Sequence, residues 1–422
     1  MSEHKFRYLL PPGTNFQFVA KFKFWIWLSV FLTIATVGVL FANKHFRGEY
    51  MNWTIDFKGG TEIVLGFKNG DSFVEVDPGK LRKALHDAGE EGVEVSEIEI
   101  GQAPVIRGMV LRSPRFSAIK PEVEAQASQA FLAAFKDRDV TKAVWSGDRM
   151  SVRSRKAITP AEVAPVLAKV GLEVKPWDEK SAQTYGAADQ GTGEYNQFYT
   201  VTGLADQYEQ LLQKALAGEV TDVVIKNSYG VGAKAGDKLR HDAAKSIVYA
   251  IFLIMLYLAF RFDIRYAPGA AFATLHDAVM VVGVFAATWT EVSLTSVAGL
   301  LTVMGYSVNE TVIGFDRIRE NEAKLKDKKI ERIIDISINE RLVRTIMTSS
   351  TVFATTLIMN IFGTGLVKNF AFAMNVGVIV ATYSSIFLAA PIFLWISKKW
   401  YSGAPTARRR VAPVAPASSS SE

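Results

Sequence analysis

The residues best equipped for chemistry form the run Gly305-Tyr306-Ser307-Val308-Asn309-Glu310-Thr311, which interrupts an otherwise apolar stretch, 294–315. Asp316-Arg317-Ile318-Arg319-Glu320-Asn321 follows closely. Holding a carboxylate inside hydrocarbon costs about 3 kcal/mol on insertion scales, so such a group is rarely kept without a use. Desolvation and a nearby cation act on its protonation in opposite directions, which suits Glu310 to taking up and releasing a proton. Asn309, Ser307 and Tyr306 add hydrogen-bonding groups that could hold water. The competing reading is an interfacial glutamate reaching the headgroups, because Asp316 lies only a turn or two away.

A cation for this carboxylate is offered by Arg344, in Arg344-Thr345-Ile346-Met347-Thr348-Ser349-Ser350. If the two apolar stretches are neighbours, its guanidinium could reach toward Glu310 and the pair would toggle with protonation; otherwise Arg344 is a plain positive-inside anchor. His276-Asp277 sits inside another apolar stretch. Polar packing between helices is preferred there over direct proton transfer, since Gly269, Ala270, Ala271, Ala273 and Ala278 mark close helix contact. The segment Asp56-Phe57-Lys58-Gly59-Gly60-Thr61 carries paired glycines, read as a sharp turn into a strand rather than a phosphate cradle. His45, His86 and His241 are isolated, no metal-ligand spacing or P-loop occurs, and no enzyme constellation emerges. The expectation is transport without a cofactor.

The elements that must position these residues follow from hydropathy. Hydrophobic residues make up 49% of the 422, mean hydropathy is +0.14, and charged residues still reach 21%. That mixture fits an α-helical membrane protein with a substantial water-soluble part. The net charge of +6 does not point to nucleic acid, because Lys and Arg cluster beside apolar stretches, where they set orientation. There is no cysteine, hence no disulfide or thiolate site.

Residues 24–42 form 19 residues without a charge, long enough to cross about 30 Å of hydrocarbon. A cleaved signal peptide is the rival; the long basic leader and long apolar run favour an uncleaved span. Further spans are expected near 246–260, 268–288, 294–315, 345–362 and 370–396, the last long enough to kink near Pro391. Six transmembrane helices result, with a cytoplasmic N-terminus at 1–23, helix 1 at 24–44, an exterior domain at 45–241, helices 2–6 within 242–400, and a disordered tail at 401–422. Lys5, Arg7, Lys21, Lys23, Arg261, Arg265, residues 317–344, Lys398 and Lys399 place both termini in the cytoplasm.

The exterior segment alternates strands and helices. Strands at 62–67, 95–101, 195–202 and 221–226, with helices at 78–88 and 205–217, would make an α+β ferredoxin-like domain. A second set, within about 103–178, has strands at 105–112, 141–145, 150–153 and 172–176 and helices at 121–135 and 160–170. It reads as inserted in the first, with a flexible connector at 178–193.

These motifs together resemble the SecF family. They are Asp56-Phe57-Lys58-Gly59-Gly60-Thr61, Tyr229-Gly230-Val231-Gly232-Ala233, Arg261-Phe262, His276-Asp277, residues 305–311 with Phe315 to Asn321, and Arg344 to Ser349. The resemblance implies a six-span bundle of the resistance-nodulation-division type with a periplasmic domain in the bacterial inner membrane. It implies work beside SecD, drawing unfolded preprotein outward with the proton motive force after the SecYEG channel and SecA motor have begun, with YajC and the YidC insertase as further partners. The family's membrane aspartate and arginine fall at Glu310 and Arg344. Three departures stand out: Glu310 replaces the aspartate, Lys58 stands where threonine is common, and the exterior domain is longer. A proton-driven small-molecule exporter subunit and a non-transporting scaffold are the alternatives.

Overall fold

The computed structural model describes residues 15–100, 106–175, 191, 193–261, 264–363 and 365–400. The tail at 401–422, most of the 178–193 connector, and Lys5 and Arg7 lie outside these.

The helices run α1 (Phe22–Arg47), then, after the exterior segment, α7 (Ala233–Arg261), α8 (Ala267–Thr288), α9 (Leu294–Lys324), α10 (Ile330–Phe362), α11 (Gly365–Phe387) and α12 (Ala389–Trp400). Among the described residues, five helical stretches are long and apolar enough to cross a membrane: Val19–Arg47, Ala233–Phe260, Ala267–Thr288, Ile330–Phe362 and Val367–Trp400. The helix α9 is not one of the five, since its Asn309 and Glu310 lower its hydropathy. It packs against α8, α10 and α11. Gly269, Ala270, Ala271, Ala273 and Ala278 of α8 are buried. A Cβ at Gly269 would lie 2.7 Å from the Ala389 carbonyl oxygen, so the small residue is what lets α8 and α12 meet. The last stretch breaks at Leu388, three residues before Pro391, where the α11 backbone gives way to α12. Phe24, Trp27, Phe31 and Ile34 of α1 and Val248, Phe252 and Phe260 of α7 point away from the core and are exposed. Apolar surface on that scale requires lipid or a partner to cover it.

The exterior segment contains α2 (Ile55–Lys58), β1 (Gly60–Asn69), β2 (Ser72–Val74), α3 (Pro78–Asp87), β3 (Glu94–Ile100), β4 (Ile106–Ser113), α4 (Pro121–Ala134), β5 (Val140–Ser146), β6 (Arg149–Ser154), α5 (Pro160–Ala168), β7 (Tyr195–Thr200), α6 (Leu204–Ala215) and β8 (Asp222–Val231). Helix and strand positions follow the sequence expectation closely, but two strands change partners. The 105–112 strand, expected in the inserted set, is β4 and pairs with β1 and β3. The 195–202 strand, expected in the outer set, is β7 and pairs with β6. The first sheet is therefore β8-β1-β4-β3, antiparallel throughout, with β2 as a short hairpin on β1. The second is β5-β6-β7, and it extends past the expected boundary near 178. Among the described residues of the expected 172–176 strand, an isolated bridge forms, Val174 to Val201, with main-chain bonds Lys175 N to Thr200 O and Thr202 N to Glu173 O. Alternation fixes which face of a strand is buried and says nothing of its neighbour. Met109 and Leu111 of β4 bury beside Ile63 and Leu65 of β1, and that packing selects the partner.

Candidate functional site

Glu310 is 2% exposed, in the middle of α9, where that helix meets α10 and α11. Its carboxylate accepts a hydrogen bond from the Thr345 hydroxyl at 3.2 Å. The buried cation beside Glu310 is Arg341, which bonds its main-chain oxygen, and not Arg344. Arg341 is 6% exposed and donates from Nη1 to the main-chain oxygen of Glu310 at 2.8 Å, and from Nη2 to that of Ser385 at 3.4 Å. Arg344, three residues on, is exposed on the outside of α10. The same correction applies to Asn309, which is exposed on α9 and turned from the site. The helical period is the reason. At about 100° per residue, Arg341, Thr345 and Ser349 share one face and Arg344 leaves it.

Gly314, one turn beyond Glu310, makes the arginine's place: a Cβ there would stand 2.7 Å from Arg341 Cζ. Two buried polar atoms in this neighbourhood, Arg341 Nε and Thr311 Oγ1, have no hydrogen-bond partner among the described residues.

A second polar cluster adjoins the first. Asp277 is fully buried and accepts from Ser307 Oγ at 2.5 Å and Ser384 Oγ at 2.8 Å. His276 Nδ1 lies 3.1 Å from Asp277 Oδ1, and its Nε2 lies 3.1 Å from the Tyr383 hydroxyl. Asp277 thus ties α8 to α9 and α11. Tyr306 takes part through its hydroxyl, 2.8 Å from Ser349 Oγ, which also accepts from Thr382. Along α10 the buried residues Arg341, Thr345, Ser349 and Thr356 form one polar face, and Thr356 donates to Asn375 at 2.5 Å.

At the end of α9, Arg317 bonds Glu340 at 2.7 Å and Glu320 at 2.5 Å, and Arg319 bonds Asp316 at 2.7 Å. These are exposed or half-buried pairs, worth little each; Arg317–Glu340 joins α9 to α10, and the other two lie within α9. At the opposite end stands the Asp56 motif. Asp56 is 7% exposed in the one-turn α2. Its Oδ2 accepts from Leu294 N at 3.1 Å, the first residue of α9, and its Oδ1 from the Tyr229 hydroxyl at 2.8 Å. Burial, then the bond to Asp56, holds the Tyr229 phenol well above its ordinary pKa. Phe57 is fully buried against the bundle. Gly59 and Gly60 have φ of +78° and +122°, and a Cβ on Gly60 would lie 2.3 Å from the Ser113 carbonyl oxygen. The turn reading of this pair holds for a physical reason: no side chain fits.

Helices with broad exposed apolar faces, enclosing a carboxylate and an arginine and carrying an α+β segment, define an integral membrane protein of the transport class. Residues 211–399 match the family described as protein export membrane protein SecD/SecF, C-terminal. A protein translocase subunit SecF of Gemmatimonas aurantiaca is 37% identical over 389 residues, covering 92% of this chain and 89% of that one. The SecF of Thermodesulfovibrio yellowstonii is 35% identical over 259 residues, 60% of this chain and 81% of that one. The crystal structure of SecDF, a translocon-associated membrane protein from Thermus thermophilus, superposes with a TM-score of 0.61 at 22% identity; it matches 93% of this chain, which spans 40% of that longer one. The chain belongs to the SecF family of protein translocase subunits.

Proposed function

We propose that this chain is the SecF-type half of a proton-driven export motor, working with SecD to draw preprotein across the bacterial inner membrane late in translocation. The single observation that carries the proton reading is Glu310, 2% exposed, with Arg341 bound to its own main-chain oxygen. Protonating Glu310 neutralises the carboxylate that faces this arginine and frees α9 and α10 to shift. In this reading α9 is the sixth membrane span, both termini are cytoplasmic, and the β8-β1-β4-β3 sheet with α3 and α6 is a ferredoxin-like periplasmic domain. Its β1-α3-β3-β4-α6-β8 connectivity supports that last assignment. SecD is assigned to cover exposed apolar surface of the bundle; the SecDF match, of which this chain spans 40%, supports a second half of that kind. SecYEG and SecA supply the translocating chain, YajC and YidC are associated subunits, and the work is transport without covalent chemistry or a cofactor.

The magnitudes fit. One proton falling through a membrane potential releases about 2.3 kcal/mol per 100 mV, so roughly 4 kcal/mol at a bacterial gradient. Swinging a two-state element from mostly one arrangement to mostly the other takes about 5.5 kcal/mol of bias. One proton tilts the balance heavily; two complete it. The test is proton flux and preprotein translocation in vesicles holding this chain with SecD. Glu310→Gln is expected to abolish both while the protein still inserts, and Glu310→Asp to retain them in part. Normal flux and translocation in Glu310→Gln would end the proposal.

A further inference from the structure

We propose that the exterior sheet is bolted to α9 at two points on one of its rungs, so that movement of the helix carrying Glu310 is delivered to the sheet without slack. The consequence for export rests on the proton reading above; the attachment itself does not. Residues facing one another across adjacent strands lie on the same face of a sheet. Tyr229 of β8 is opposite Glu62 of β1, and Glu62 is opposite Arg112 of β4. These three therefore form one row across the sheet. Both ends of the row leave it toward the start of α9. At one end the Tyr229 hydroxyl donates to Asp56, whose other oxygen accepts the Leu294 amide in the first turn of α9. At the other end Arg112 is held by Glu62 at 2.7 Å and pairs with Glu291, three residues before α9 begins.

Tyr229 and Arg112 flank β1 and so stand about 10 Å apart, twice the strand spacing. A single contact lets a rigid body pivot; two contacts this far apart oppose rotation as well as translation. The groups are suited to bear load. Asp56 is 7% exposed, and Arg112 is mostly buried between two carboxylates. Burial pulls the Arg112 pKa down, but Glu291 and Glu62 together carry it above its ordinary value, so the guanidinium is charged. Main-chain bonds reinforce the joint, from Thr54 N to Val292 O at 3.0 Å and from Val292 N to Asn52 O at 2.7 Å. In addition β8 runs almost directly into α7 through Gly232, and Gly236 of α7 packs on the Phe57 carbonyl. Asp56, Tyr229, Arg112 and Glu291 are thus positioning residues: they touch no proton site and transmit its motion.

The chain has no cysteine, so spin labels can be introduced freely on exposed Asn69 of β1 and Lys324 at the far end of α9. The full chain is assembled with SecD in nanodiscs, and the 69–324 distance distribution is measured by pulsed electron resonance. It is expected to be narrow with Glu310 in place and to broaden in Tyr229→Phe/Glu291→Leu, which cuts both bolts. The same variant is expected to keep proton flux while losing translocation, an uncoupling that loss of fold would not produce. If the double variant fails to insert, Tyr229→Phe alone is measured by the same criterion. An unchanged narrow distribution, or translocation falling only in step with flux, overturns the proposal. A label pair at Asn69 and Lys399, measured with and without Glu310→Gln, reports separately on the proton reading. Absence of a shift there strikes that reading and leaves the attachment intact.

Discussion

Replacing Arg341 by methionine keeps the aliphatic length and removes the guanidinium fork. The side chain is 6% exposed and donates two hydrogen bonds to main-chain oxygens, at 2.8 and 3.4 Å. Taking away one member of a buried charge pair costs about 3–5 kcal/mol, because the other charge stays desolvated without compensation. The fork meets the main chain of Glu310 rather than its carboxylate, which argues for the lower end, about 3 kcal/mol, or roughly a hundredfold in the folded ratio. Adding Glu310→Gln removes the stranded charge, and the double variant is expected within about 1 kcal/mol of the unaltered protein. Arg344→Met, at an exposed position, is expected to change stability by less than about 0.5 kcal/mol. Reversible unfolding in bicelles measures all three. The reasoning is refuted if Arg344→Met costs as much as Arg341→Met, or if the double variant is no more stable than the single.

Asp277→Asn keeps an oxygen for Ser307 and Ser384 and offers an N–H to His276, so stability should fall by less than about 1 kcal/mol and proton flux should persist; Asp277→Leu strands both hydroxyls and should cost about 1–3 kcal/mol. Gly60→Ala drives a Cβ into the Ser113 carbonyl at a φ of +122°, and thermal unfolding should show a loss of about 1–3 kcal/mol. Tyr208 donates to Glu90 and accepts from the Ser113 hydroxyl, and burial pushes its phenol from 10 up to about 12. Because the folded pKa is the higher one, its contribution is full below pH 10 and fades as pH rises through about 12. Phenolate absorbance should show that late step, and Tyr208→Phe should remove it.

Much of the architecture is written in local patterns. Long apolar runs fix the helices because backbone polar groups in hydrocarbon must be satisfied within their own segment. Period-two and helical patterns located most of the exterior strands and helices to within a few residues, since local sterics and burial set them. The polar run from Gly305 to Thr311 singled out Glu310 as a candidate for the same local reason: it is the wrong chemistry for its surroundings.

What sequence left open was always a question of neighbours. The exchange of β4 and β7 between sheets turned on which buried side chains interlock, and strand alternation is silent on that. The choice of Arg341 over Arg344 needed the rotational setting of α10 against α9 and the notch at Gly314, both products of packing. Asp56 looked like part of a turn, yet it caps a helix that starts 238 residues later. Local chemistry named the carboxylate. Only the tertiary structure could choose the arginine that faces it and the rung that ties its helix to the sheet, because those depend on contacts between segments remote in the chain.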